Sequence, residues 1–70
     1  MESIQIRDEF IKLGQALKLA GLVESGVEAK IVITSGEVKV NGQVEIQRGK
    51  KIVDGDIVEY NGSRFKVNGK

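Results

Sequence analysis

The 70-residue chain has no cysteine and no histidine. Without cysteine it can form neither disulfides nor thiolate metal sites. Without histidine it lacks the most common general base, the usual pH switch and the most frequent metal ligand. An enzyme built from this sequence would rely on Ser, Lys or carboxylates alone, with little chain left to enclose a pocket. The expectation is a noncatalytic protein with no cofactor and no metal site. The missing disulfide framework fits a reducing compartment. The start, MESIQIRDEF, shows no basic segment followed by a long apolar run, so it does not read as a secretory signal. No apolar stretch approaches the roughly 20 residues that span a bilayer. A soluble, cytoplasmic protein with no membrane association is therefore expected. Aromatics are also scarce. Phe10, Tyr60 and Phe65 are the only ones, and their positions suggest core or hairpin packing, with Tyr60 partly exposed before a turn. No spaced aromatic pair of the kind used by sheet-based single-strand binders is present, so base stacking is not expected to dominate binding. Neither the Gly-x-Gly-x-x-Gly fingerprint nor the P-loop pattern occurs, which leaves nucleotide hydrolysis without support.

Charge is balanced at a formal net +1, and position matters more than the sum. Asp8 and Glu9 sit together near the start, and Asp54, Asp56 and Glu59 cluster near the end. Between them lie Lys12, Lys18, Lys30, Lys39, Arg48, Lys50 and Lys51. A fold that gathers some of these cations would present a basic face on a near-neutral protein; otherwise they form a mixed, solubilising surface.

Along the chain, SIQIR alternates Ile4 and Ile6 with polar neighbours, as a short strand does. Asp8 is placed to cap a helix through EFIKLGQALKLA, with Phe10, Leu13, Leu17 and Ala20 as its apolar stripe and Gly21 as a left-handed stop. Gly14 inside that helix suggests close helix packing. Leu22 and Val23 then tuck inward while the chain reverses. Ser25 and Glu28 match a capping box for a second helix from about Gly26 to Ser35. Its interior is rich in β-branched residues, so a strand over KIVIT competes; the cap before it and Gly36 after it favour helix. EVKVNG puts Val38 and Val40 on one face and Lys39 on the other, ahead of an Asn-Gly turn. Short apolar alternations follow, broken at Arg48-Gly49, Asp54-Gly55 and Asn61-Gly62, with DIVEY and SRFKV forming a hairpin. All three Asn-Gly pairs are read as turns, and Asp54-Gly55-Asp56 as a structural turn rather than an acid–base or metal site. The pattern is two helices followed by several short strands, one α+β domain over residues 1–70.

The string LKLAGLVESGVEAKIVITSGEVKVNGQVE, followed by KIVDGDIV, resembles the S4 RNA-binding domain. The resemblance rests on Gly21-Leu22, Ser25, Ala29, Gly36, Val38, Val40, Asn41-Gly42 and Gly55-Asp56, and runs from about Ile11 to Val58. Within that family the chain looks most like the stand-alone, single-domain YaaA/YbcJ-like proteins. The resemblance implies two helices packed on a small, strongly bent antiparallel or mixed sheet, the alpha-L RNA-binding arrangement, with RNA across the helical pair and the adjoining loop. By motif, the binding positions are Ser25, Gly26 and Lys30, with Lys39 in the following strand. Many members carry Arg directly after that serine, where this chain has Gly26. Either Arg48, Lys50 and Lys51 compensate, or affinity is lower than in the ribosomal relative.

The residues give their own reasons for these positions. Backbone N–H groups at the start of the second helix form an anion site, and Gly26 lets a phosphate approach closely. Ser25 and Glu28 are equally accounted for by satisfying their own helix end. Lys12, Lys18 and Lys30 lie off the apolar faces, where lysines are ordinarily just solvated. Arg48, Lys50 and Lys51 form a flexible basic loop suited to phosphates rather than bases. The expected function is an RNA-binding module for structured RNA, ribosomal RNA or an assembly intermediate first and transfer RNA next. It is expected to act as a monomer, alone or beside a ribosomal subunit or another RNA-associated protein. The alternative is a protein-interaction adaptor that keeps the fold with weak RNA affinity. A ubiquitin-like sulfur carrier is not expected, because that class needs a Gly-Gly tail and the sequence reads VNGK at its end.

Overall fold

The computed structural model describes residues 1–69. The elements run β1 (Glu2–Gln5), β2 (Phe10–Lys12), α1 (Leu13–Leu19), α2 (Gly26–Thr34), β3 (Val38–Val40), β4 (Gln43–Val44), β5 (Lys51–Val53), β6 (Ile57–Tyr60) and β7 (Ser63–Asn68). Five strands form a mixed sheet in the order β1-β7-β6-β3-β4, and β2 pairs with β5 in a separate two-stranded ribbon. β1 runs parallel to β7, with Ile4 opposite Val67, while β3, β4, β6 and β7 are joined by antiparallel pairing. This is the expected α+β arrangement of two helices on a small mixed sheet. No helix among the described residues is long and apolar enough to cross a membrane.

Alternation decides which side of each strand is buried. Val38 and Val40 turn inward while Lys39 stays out, and Phe65 and Val67 do the same in β7 around Lys66. They join Leu13, Ala16 and Leu17 of α1, Ala29, Val32 and Ile33 of α2, and Ile52 and Val58 in one apolar core. Val23 is buried and Leu22 packs against the same core, as the sequence suggests. Among the described residues no polar or charged side chain is buried.

The two β3–β4 and β6–β7 turns are tight because Asn41 (φ 53°) with Gly42 (φ 85°), and Asn61 (φ 53°) with Gly62 (φ 79°), take the paired left-handed conformations of a type I′ hairpin. Asn68-Gly69, expected as a third turn, is not one. Asn68 is the last residue of β7, paired with Gln5, and Gly69 donates its N–H to Asp54 Oδ1 at 2.8 Å. The other acidic turn residue is structural too. The Asp56 carboxylate accepts from Val53 N at 2.9 Å and from Asn41 Nδ2 at 3.0 Å. Asn41 Oδ1 in turn accepts from Ile57 N at 2.9 Å, tying two neighbouring turns together.

α2 is a helix despite its β-branched interior, because both ends are fastened. Glu28 N donates to Ser25 Oγ at 3.1 Å, and Glu28 Oε1 accepts from Glu24 N at 2.8 Å. At the other end Gly36 (φ 82°) donates to Ile33 O and Glu37 to Val32 O, a Schellman pair. α1 ends the same way, with Gly21 donating to Lys18 O and Leu22 to Leu17 O.

The start of α1 departs from expectation. Asp8 does not cap it, and residues Phe10–Lys12 are not helical. They form β2, with Phe10 opposite Val53 and Ile11 opposite Ile52. Lys12 is the extended residue before the helix and gives no side-chain cap. The orphan donors are met by a distant loop instead: Leu13 N binds Lys50 O at 2.9 Å, and Gly14 N binds Arg48 O at 3.1 Å. Pairing with β5 satisfies the backbone of residues 10–12 in a way a side-chain cap at Asp8 cannot match. Phe10 consequently leaves the apolar stripe of α1.

Because the Ser25 side chain caps the N-terminus of α2, Ser25→Ala is expected to lower unfolding stability by about 1 kcal/mol. Urea denaturation followed by circular dichroism measures it; an unchanged midpoint would show that α2 does not depend on its cap.

Candidate nucleic-acid interface

The clasp at the start of α1 brings three separate chain segments side by side. Gly14 is the position that allows it. A Cβ built there would stand 2.8 Å from Arg48 Cγ and 3.7 Å from Ala29 Cβ. The glycine thus lets the Arg48 stem cross α1 and lets α2 pack closely. The helix packing suggested by Gly14 in the sequence is present, with the arginine as an unexpected second neighbour.

The result is a groove of about 320 Å³ between α1, the start of α2 and the loop before β5. Lys12, Gln15 and Lys18 line it on the α1 side, Gly26 and Ala29 on the α2 side, and Arg48 and Gly49 from the loop. All three cations are exposed. At the helix end Ser25 Oγ takes the N–H of Glu28, whereas the N–H groups of Gly26 and Val27 have no partner among the described residues. A Cβ at Gly26 would meet nothing within 4 Å, so the main chain there is open to an approaching anion. Three cations, two free backbone donors and a helix N-terminus can hold phosphate oxygens without any acid–base chemistry.

The remaining sequence candidates do not share this groove. Lys50 and Lys51 line a different depression, beside Val40, Asn41, Gln43 and Asp56. The loop carrying Arg48 and Lys50 is also not a free one, since both residues give their carbonyls to α1. Lys30 is exposed on α2 and lines neither recess. Lys39 points away from the core, with Glu59 as its cross-strand neighbour on β6. Four lining residues are not among the binding candidates read from sequence: Gly14, Gln15, Gly49 and the wholly buried Ala29. Gly14 reads as a packing position and Ala29 as a motif position, while Gln15 carries no distinguishing signal. Among the described residues no cluster of acidic side chains could hold a metal ion.

A small α+β domain with a cationic groove at a helix pair defines a binding module. The chain belongs to the S4 domain family, whose model matches residues 4–68. It is 46% identical over 59 residues to "Probable ribosome maturation protein RlbA" of Bacillus subtilis (strain 168), covering 84% of this chain and 83% of that one. It is also 46% identical over 57 residues to "Putative RNA-binding protein YbcJ" of Escherichia coli (strain K12), covering 81% of each. The solution structure of YbcJ from E. coli, described as revealing an alpha-L motif involved in RNA binding, superposes with a TM-score of 0.75 at 39% identity. It covers 97% of this chain and 87% of that one. Both relatives are named for binding or maturation, in agreement with a noncatalytic protein.

Gly14→Ala puts a methyl against the Arg48 stem. It is expected to push that side chain out of the groove, while the gain in helix propensity keeps the stability change within about 1 kcal/mol. NMR of the Arg48 Nε–H together with chemical denaturation reads both quantities. An unmoved Arg48 resonance would mean that Gly14 does not set the arginine's path.

Proposed function

We propose that this protein binds structured RNA without catalysing a reaction on it, through phosphate contacts in the groove of Lys12, Lys18, Gly26 and Arg48. The observation that carries the reading is the convergence of three exposed cations and the open first turn of α2 on one recess. Membership of the S4 family and the names of the two relatives support RNA as the ligand. The name of the B. subtilis relative supports ribosomal RNA or an assembly intermediate as the target, ahead of transfer RNA. Phosphates fix register and orientation, and the shape of the groove selects folded RNA over extended strands. The protein acts in the cytoplasm as a monomer, beside a ribosomal subunit or another RNA-associated protein.

A second reading has one observation in its favour. Val27 and Ile31 lie one helical turn apart on α2 and are 70% and 59% exposed. A protein adaptor would use this apolar strip, with weak RNA affinity and little response to salt.

Salt-dependent binding to folded RNA separates the two. Three phosphate contacts predict a slope of log K against log salt of about −2 to −3. Reversing Lys12, Lys18 and Arg48 to Glu is expected to abolish binding at moderate salt, and reversing Lys50 and Lys51 to weaken it less. Fluorescence anisotropy with a labelled RNA hairpin measures both. Salt-independent binding, or equal losses in the two variants, would contradict the phosphate groove.

A further inference from the structure

A second recess, of about 570 Å³, lies between the β1–β2 connection and α1. It is continuous with the cationic groove, since Gln15 and Lys18 line both. Phe10 lines it and is 38% exposed. The other two aromatics are committed to the fold: Phe65 is 1% exposed and Tyr60 packs against the core. Phe10 is thus the one aromatic ring free to meet a ligand. It stands there because residues 10–12 pair with β5 rather than extending α1. Lys51 Nζ lies 4.8 Å from the ring centroid and is not among the residues lining the recess. The cation steadies the ring, and Phe10 itself lines the recess.

We propose that this recess receives one unpaired base of a bound RNA, stacked on Phe10. The site rests on the RNA-binding reading and extends it from phosphates to a nucleobase. A strand whose phosphates lie along Lys12, Lys18 and Arg48 reaches the recess past Lys18 without a break in contact. Leu19, exposed on α1, adds apolar surface beside the ring. Arg7 supplies a second cation for the phosphate flanking the base. The carboxylate of Asp8, also on the rim, disfavours a phosphate at that end and accepts from a base-edge N–H. A volume near 570 Å³ lies within the range that holds small organic ligands. Unstacked bases of loops and ends are the parts of RNA that aromatic side chains recognise.

The full chain contains no tryptophan, so Phe10→Trp introduces a single tryptophan into the recess, excited selectively over Tyr60. Two labelled RNAs are compared by anisotropy: a blunt hairpin, and the same hairpin with a single-stranded extension of about four nucleotides. The extended RNA is expected to bind roughly tenfold more tightly than the blunt one and to quench the tryptophan. Phe10→Leu, checked for folding by its thermal melt, should bind the blunt hairpin as the unaltered protein does and lose the preference. Equal affinity for the two RNAs, or an extended RNA that binds by anisotropy and leaves the tryptophan unquenched, overturns the base site while leaving the phosphate groove standing. If neither RNA binds at low salt, the RNA-binding reading fails and this site with it.

Discussion

Two backbone hydrogen bonds, Leu13 N to Lys50 O and Gly14 N to Arg48 O, hold together the corner that carries the candidate groove. A helix begins with donors that its own turns cannot satisfy, and most helices meet them with a side chain or water. Here a loop more than thirty positions downstream supplies the acceptors, so α1 cannot start where it does unless that loop is in place. The same contact makes β2 and β5 a paired ribbon and lays the Arg48 stem across Gly14. Local capping and tertiary assembly are one event at this corner.

Placement of charge follows from that corner rather than from composition. A formal net charge of +1 gives the chain little overall attraction for a polyanion. Bringing Lys12 and Lys18 beside Arg48 and the first turn of α2 concentrates cations where the backbone also presents donors. Lys39, facing Glu59 across two strands, has no such company. Position on the fold, and not residue type, separates a cation that can act in a cluster from one that only solvates the sheet.

Much of the fold can be read from local chemistry. The Ser25–Glu28 box, the left-handed glycines at 21 and 36 and the first two Asn-Gly turns each carry their instruction within a few residues. They place α2, both helix ends and two hairpins correctly. The misread segments are those decided by distant partners. Asp8 and Glu9 look like a helix start, but nothing nearby reveals that Phe10–Lys12 has a β5 strand to pair with. Asn68-Gly69 has the composition of a turn, yet parallel pairing with β1 holds Asn68 in a strand. The candidate site divides along the same line. Lys12, Lys18, Gly26 and Arg48 are identifiable as residues, whereas their meeting depends on long-range hydrogen bonds. Three cations within four positions also read as one loop, whereas Arg48 lines the groove and Lys50 and Lys51 line a different depression.

The central claim is that folded RNA sits on the corner joining α1, the start of α2 and the loop before β5. Backbone amide shifts of the ¹⁵N-labelled protein, followed while a structured RNA is added, test it most directly. The account predicts the largest changes at Gly14, whose N–H donates to the carbonyl of Arg48, and at Gly26 and Gly49, which line the groove, with small ones at Lys39 and Lys66 on the outer face of the sheet. Changes concentrated on β3, β6 and β7, with those three glycines unmoved, would contradict it.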